Sequence, residues 1–121
     1  MMQIIYQTTI TQIGQNALEA LEDNMLITFC EGAPADIQDY CFLHCHGTLI
    51  GTLEPGIAFE LNGQHYDVTA VGNVAQQNLQ ELGHITLRFD GGAQAEYPGT
   101  VHVNGQLPQG IEIGCQLKFF A

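Results

Sequence analysis

The stretch YCFLHCHG, residues 40–47, decides how the chain is read. With period two, Cys41, Leu43 and Cys45 share one face, and Tyr40, Phe42, His44 and His46 share the other. With period 3.6, Ile37, Tyr40, Cys41 and His44 line up as they would on a helix. Gly47 and the following Thr48-Leu49-Ile50 favour the strand. As a strand it has an apolar inner face and an aromatic-imidazole outer face. Both imidazoles then point the same way, their Cα atoms ~6.6 Å apart at a rise of ~3.3 Å per residue.

On either side the chain reads as short strands broken by turns. QIIYQTTITQI, residues 3–13, is rich in Ile, Thr and Tyr and reads as a strand. NALEALED follows as a short helix, with Asn16 able to cap it and Leu18 and Leu21 on one face. MLITFC, residues 25–30, is a strand closed by Gly32 and Pro34. IAFEL and QHYDVTAVG flank Asn62-Gly63, a strong hairpin signal. NVAQQNLQELG is the best helix, with Asn73 to cap it, Val74, Leu79 and Leu82 as its apolar residues and Gly83 to stop it. HITLRFD alternates Ile85, Leu87 and Phe89 against His84, Thr86, Arg88 and Asp90. TVHVN and IEIGCQLKFF supply the last strands, and no internal repeat is visible. These elements predict one domain over residues 1–121. It is mainly β: a closed or nearly closed β-barrel or sandwich of short antiparallel strands with one or two short helices.

Composition narrows the function. Of the residues, 45% are apolar, enough for a packed core. Thirteen carboxylates face two cations, Arg88 and Lys118, for a formal net charge of −11 at pH 7. That charge argues against nucleic acid and anionic membranes, which need cationic groups to replace counterions. It fits a basic protein partner. No apolar run approaches the ~20 residues of a membrane helix, and the N-terminal MMQIIYQTTITQIGQ lacks the marks of a signal peptide. The expectation is a cytoplasmic chain without direct membrane insertion. Cys41 and Cys45, ~13 Å apart on a strand, lie beyond the ~7 Å Cα limit for a disulfide. Buried free thiols are therefore expected.

Three chemistries compete for His44 and His46. Two half-exposed histidines can sit on a strand with no chemistry at all. As metal ligands they need a third and usually a fourth group. His84, His102, Cys41 and Cys45 are available, but no C-x-x-C or H-x-x-x-H spacing supports them. As a nucleophile and its partner, one imidazole would accept a transferable group while the other orients it. Histidine suits phosphoryl transfer because it is largely neutral and nucleophilic near pH 7. The charge spread over a phosphoryl group in transit needs cations or N–H donors, which this chain scarcely offers in its side chains. No nucleotide cradle is present, so the phosphoryl group would have to come from another phosphoprotein.

The segments IYQTTIT, MLITFCEGAPAD, YCFLHCHG, VTAVG, ELGHITLRFDG and PGTVHVNG resemble the glucitol/sorbitol-specific IIA component of the bacterial phosphotransferase system, over nearly the whole chain. The resemblance implies a cytoplasmic phosphocarrier. It would accept a phosphoryl group from the histidine-containing phosphocarrier HPr and hand it to the IIB component of the sorbitol permease, without a cofactor or metal. It implies His44 as the phosphohistidine, on Nε2, and His46 is read as the supporting imidazole. It also implies that basic residues around the HPr histidine bring the missing positive charge. Cys30 departs from the family pattern, which has arginine there; if that arginine helps hold phosphate, this chain lacks it. The readings left open beside this one are a small metal-binding barrel using His44 and His46 and a non-catalytic interaction module.

The remaining candidates read as ordinary. His65 is a turn-proximal surface residue. His84 and His102 read as surface histidines that could reach the site. Arg88 pairs with one of the acids. Tyr40 and Phe42 either rim a docking patch or pack.

Overall fold

β1 (Ile4–Ile13) forms where Ile, Thr and Tyr crowd together, and it buries Ile5, Tyr6, Thr8 and Ile10. This computed structural model describes residues 3–121; Met1 and Met2, at the head of the stretch read for a signal peptide, lie outside them. After β1 come α1 (Ala17–Glu22), β2 (Met25–Cys30), α2 (Ala35–Gln38), β3 (Phe42–His44), β4 (Ala58–Leu61), β5 (Gln64–Val71), α3 (Ala75–Leu82), β6 (Thr86–Arg88), β7 (Thr100–Asn104) and β8 (Gln116–Phe120). The strands close a barrel in the order β1-β3-β2-β6-β7-β5-β4-β8. Closure leaves no open sheet edge.

The mainly-β barrel is the expected fold class, with two refinements. A third helix, the short α2, joins the two expected. Two strand pairs, β2–β3 and β6–β7, are parallel. A parallel pair needs a crossover connection, and the turns after β2 and β6 are followed by segments long enough to make one. The Asn62-Gly63 hairpin stands as expected, both residues at positive φ (51° and 82°) as a tight primed turn requires. Neither helix uses an asparagine side chain as its cap. Of the two leucines of α1, Leu21 packs against the core, while Leu18 is exposed.

The barrel also contains a repeat that the sequence hides. Thr28–Phe42, Phe29–Leu43 and Cys30–His44 pair in parallel, and Thr86–Thr100, Leu87–Val101 and Arg88–His102 pair in the same way 58 positions later. β1 with β8 and β5 with β4 match under the same shift, Gln7–Lys118 corresponding to His65–Glu60. Some identical residues persist where geometry allows no substitute. A Cβ on Gly14 or on its counterpart Gly72 would strike backbone carbonyls at 2.3 Å and 2.1 Å. Ala17 and Ala75, the first residues of α1 and α3, are fully buried. Most other positions differ, and further identical ones, such as Leu21 and Leu79 or Thr28 and Thr86, are scattered, so no repeat stands out in the residues. Under this shift His44 on β3 corresponds to His102 on β7.

Candidate functional site

The strand reading of YCFLHCHG is right, but its faces are reversed. Phe42 joins the main barrel core, whereas Cys41 and Leu43 pack with Phe29 and Ala33 in a second cluster on the other side of the strand. His44 shares the Phe42 face and is therefore buried, 1% exposed, instead of standing on an outer surface. The reversal arises because both faces of β3 are covered, so alternation between apolar and polar residues could not mark the inside. The strand ends at His44, and the chain turns out through Cys45 and then His46, which takes a left-handed φ of 65°. Cys45 is exposed, against the expectation of a buried thiol, and all four cysteines are free.

The two imidazoles still meet, with ring centroids 5.8 Å apart. What gathers them is the end of α3. Gly83, at φ 61°, terminates that helix as expected. The last carbonyls of a helix lack intrahelical partners and carry negative partial charge. His44 Nε2 lies 2.8 Å from the Gly83 carbonyl oxygen, and His46 Nε2 lies 3.1 Å from that of Gln80. Gly83 must be glycine twice over: its φ is left-handed, and a Cβ would come within 2.7 Å of His44 Nε2. The Thr28 hydroxyl donates to the same Gly83 oxygen at 2.8 Å, fixing it from the other side.

β1 lines the opposite wall. The Thr8 hydroxyl lies 3.0 Å from His44 Nδ1 and 3.6 Å from Cys45 Sγ. The Tyr6 hydroxyl lies 2.7 Å from His46 Nδ1, and burial pushes the phenol's pKa well up, so it stays protonated and donates. Burial likewise holds His44 below the usual histidine range, with the charge of His46 adding to the effect, while the Gly83 carbonyl and Glu31 oppose it. At neutral pH His44 is therefore uncharged and keeps a lone pair. Both Nε2 atoms are already engaged by carbonyls. Among the described residues, no group of three or more His, Cys, Asp or Glu side chains is placed to hold a metal ion.

The other candidates lie elsewhere. His102 is not a surface histidine: it is 2% exposed, donates from Nδ1 to Asp90 at 2.7 Å, and accepts the Glu96 N–H on Nε2 at 3.0 Å. Arg88 pairs with Asp90 and Glu96, as expected of a lone arginine among acids. His84 bonds the Thr28 carbonyl and stacks on Phe29, and His65 is exposed. Tyr6, Thr8 and Thr28 were missed by sequence reading, and Gly83 was read only as a helix stop. The shared parity of Tyr6 and Thr8 on β1 was a visible signal, but nothing in the sequence brings β1 beside residue 44.

The barrel is shared with a solved structure, the PTS system IIA component from Enterococcus faecalis V583, at a TM-score of 0.80 and 26% identity, covering 95% of this chain and 99% of that one. The fold thus places the chain in the class of phosphotransferase-system IIA components. Within that class, residues 5–118 match the family described as PTS system glucitol/sorbitol-specific IIA component. The PTS system glucitol/sorbitol-specific EIIA components of Escherichia coli (strain K12) and Shigella flexneri are each 63% identical over 118 residues, or 98% of this chain and 96% of theirs. The chain belongs to this glucitol/sorbitol-specific IIA family, the one its segments resemble. No helix among the described residues is long and apolar enough to cross a membrane.

Proposed function

We propose that residues 1–121 form a single-domain cytoplasmic phosphocarrier. It accepts a phosphoryl group from phospho-HPr on His44 and passes it to the IIB component for sorbitol uptake and phosphorylation. The observation that carries this reading is the state of His44: a buried, neutral imidazole with one nitrogen tied to a carbonyl and a second imidazole beside it. Such a ring is nucleophilic at neutral pH and is held in one orientation, as group transfer by positioning requires. His46 is the supporting residue, itself held between Tyr6 and Gln80. Because His44 is covered, transfer begins with a local opening, of the kind loops with few regular hydrogen bonds supply. Exposed Glu31 bonds the His44 carbonyl through its N–H, and exposed Glu81 and Leu82 lie in the chain between the Gln80 and Gly83 carbonyls that hold the two rings, which makes the neighbourhood acidic. That neighbourhood complements a basic donor.

The test is incubation with enzyme I, HPr and phosphoenolpyruvate. One acid-labile, base-stable phosphoryl group per chain is expected, and a His44→Gln variant should accept none. Equal acceptance by that variant would overturn the site.

A further inference from the structure

One buried hydroxyl holds the carbonyl against which His44 rests. Thr28, on β2, is 1% exposed and faces the turn from α3 into β6. Its Oγ1 accepts the Ile85 N–H at 3.2 Å and has one proton of its own to donate. The Gly83 oxygen lies at 2.8 Å. The Ile85 oxygen is farther, at 3.4 Å, and already takes the Thr28 N–H at 2.9 Å. The hydroxyl therefore donates to Gly83. The Thr28 carbonyl takes His84 Nδ1 at 2.9 Å. One residue thus ties down Gly83, His84 and Ile85 in succession. The Gly83 oxygen is the atom that also meets His44 Nε2, at 2.8 Å.

We infer that Thr28 is a positioning residue for phosphoryl transfer, setting the His44 ring through the Gly83 carbonyl; this rests on the reading of His44 as the acceptor. A carbonyl at the end of a helix has no intrahelical partner to fix its direction. Gly83, left-handed at φ 61° and without a side chain, has little else to fix it. With the hydroxyl in place the oxygen is held from β2 and the ring from β3 meets it at a set point. Without the hydroxyl the oxygen follows the ring, and the buried imidazole samples a spread of orientations. Group transfer depends on the placement of one lone pair, and a small misplacement is costly. The hydroxyl also keeps the oxygen bonded while the ring meets its donor, so no buried carbonyl is orphaned at that moment. Thr28 does this from inside the barrel, beyond the reach of a docked partner. Thr86 supplies an internal comparison. It is the same residue at the same register in the second half, opposite Thr100 as Thr28 is opposite Phe42, but it is half-buried and serves the half that carries His102.

The test is rapid-quench transfer from phospho-HPr to the full chain over a range of HPr concentrations. In Thr28→Val the rate at saturating HPr should fall about tenfold, with the half-saturating concentration unchanged. Thr28→Ser should restore the rate, and Thr86→Val should leave it at the wild-type value. In NMR spectra of histidine-labelled resting protein, the His44 ring signals should move in Thr28→Val and return in Thr28→Ser. If the valine variant does not fold, Thr28→Cys, whose thiol is a weak donor, replaces it against Thr28→Ser with a loss of the same sign expected. An unchanged saturating rate, a change confined to half-saturation, unmoved His44 signals, a serine variant no faster than valine or cysteine, or an equal loss in Thr86→Val overturns the inference. Mapping the wild-type product under alkaline conditions separates the two readings. Phosphate on His44 with Thr28→Val unimpaired overturns the role of Thr28 alone; phosphate away from residue 44 overturns both.

Discussion

At the scale of single residues, the site works by fixing rings and keeping one of them uncharged. Burial holds His44 below the usual histidine range of ~6.5. An NMR titration should therefore find His44 still neutral at pH ~6.5, where an ordinary imidazole is half protonated; a midpoint at or above that value would contradict the role of burial. Tyr6 and His46 act one step out, through the 2.7 Å bond that orients the second ring. His46→Gln should slow phosphoryl acceptance by about tenfold to a hundredfold while leaving the phosphate on His44, read by mass mapping under alkaline conditions. His44 and His46 were legible because two histidines one residue apart are unusual and because the surrounding segments resemble a family. Tyr6, Thr8 and Thr28 were not, since each acts on a partner at least 36 positions away in the chain, and only strand order makes them neighbours.

At the scale of elements, α3 is the decisive one. It outruns its repeat counterpart α1, eight residues against six, and its end reaches the histidines. Its C-terminal glycine combines a left-handed backbone with the close approach of His44. Gly83→Ala should therefore cost more than the ~1 kcal/mol usual for filling a left-handed helix stop, because the new Cβ lies 2.5 Å from His44 Cε1. Urea unfolding would measure this, and a loss under about half that value would mean the ring moves aside freely. The helix and its glycine stop were readable from sequence, since Gly83 follows the last apolar residue of a periodic run. The inner face of β3 was not, because both of its faces are covered. A buried histidine beside a buried phenylalanine then looks no different from an exposed pair. The same difficulty hid His102, whose flanking valines suggested an outward ring.

At the scale of the whole molecule, two features follow from charge and burial. A neutral, buried His44 is protonated more readily in the unfolded chain, so the unfolded state binds more protons below the free histidine value. Its contribution to stability is fully present above pH ~6.5 and is lost progressively as pH falls below that toward the depressed value in the fold. The urea midpoint should drop across this window, and less so in His44→Gln; identical pH profiles would rule the ring out as the cause. The net charge of −11 should make transfer from HPr slow severalfold between about 0.05 M and 0.5 M salt; a rate indifferent to salt would dismiss electrostatic steering. Barrel class was legible from short strands and frequent turns, whereas the duplication was not, because backbone register survives after side chains diverge. The most direct measurement is phosphoryl transfer from HPr with the modified residue mapped. One group on His44, absent from His44→Gln, is the result expected of this barrel. Phosphate on another residue, or none at all, would contradict it.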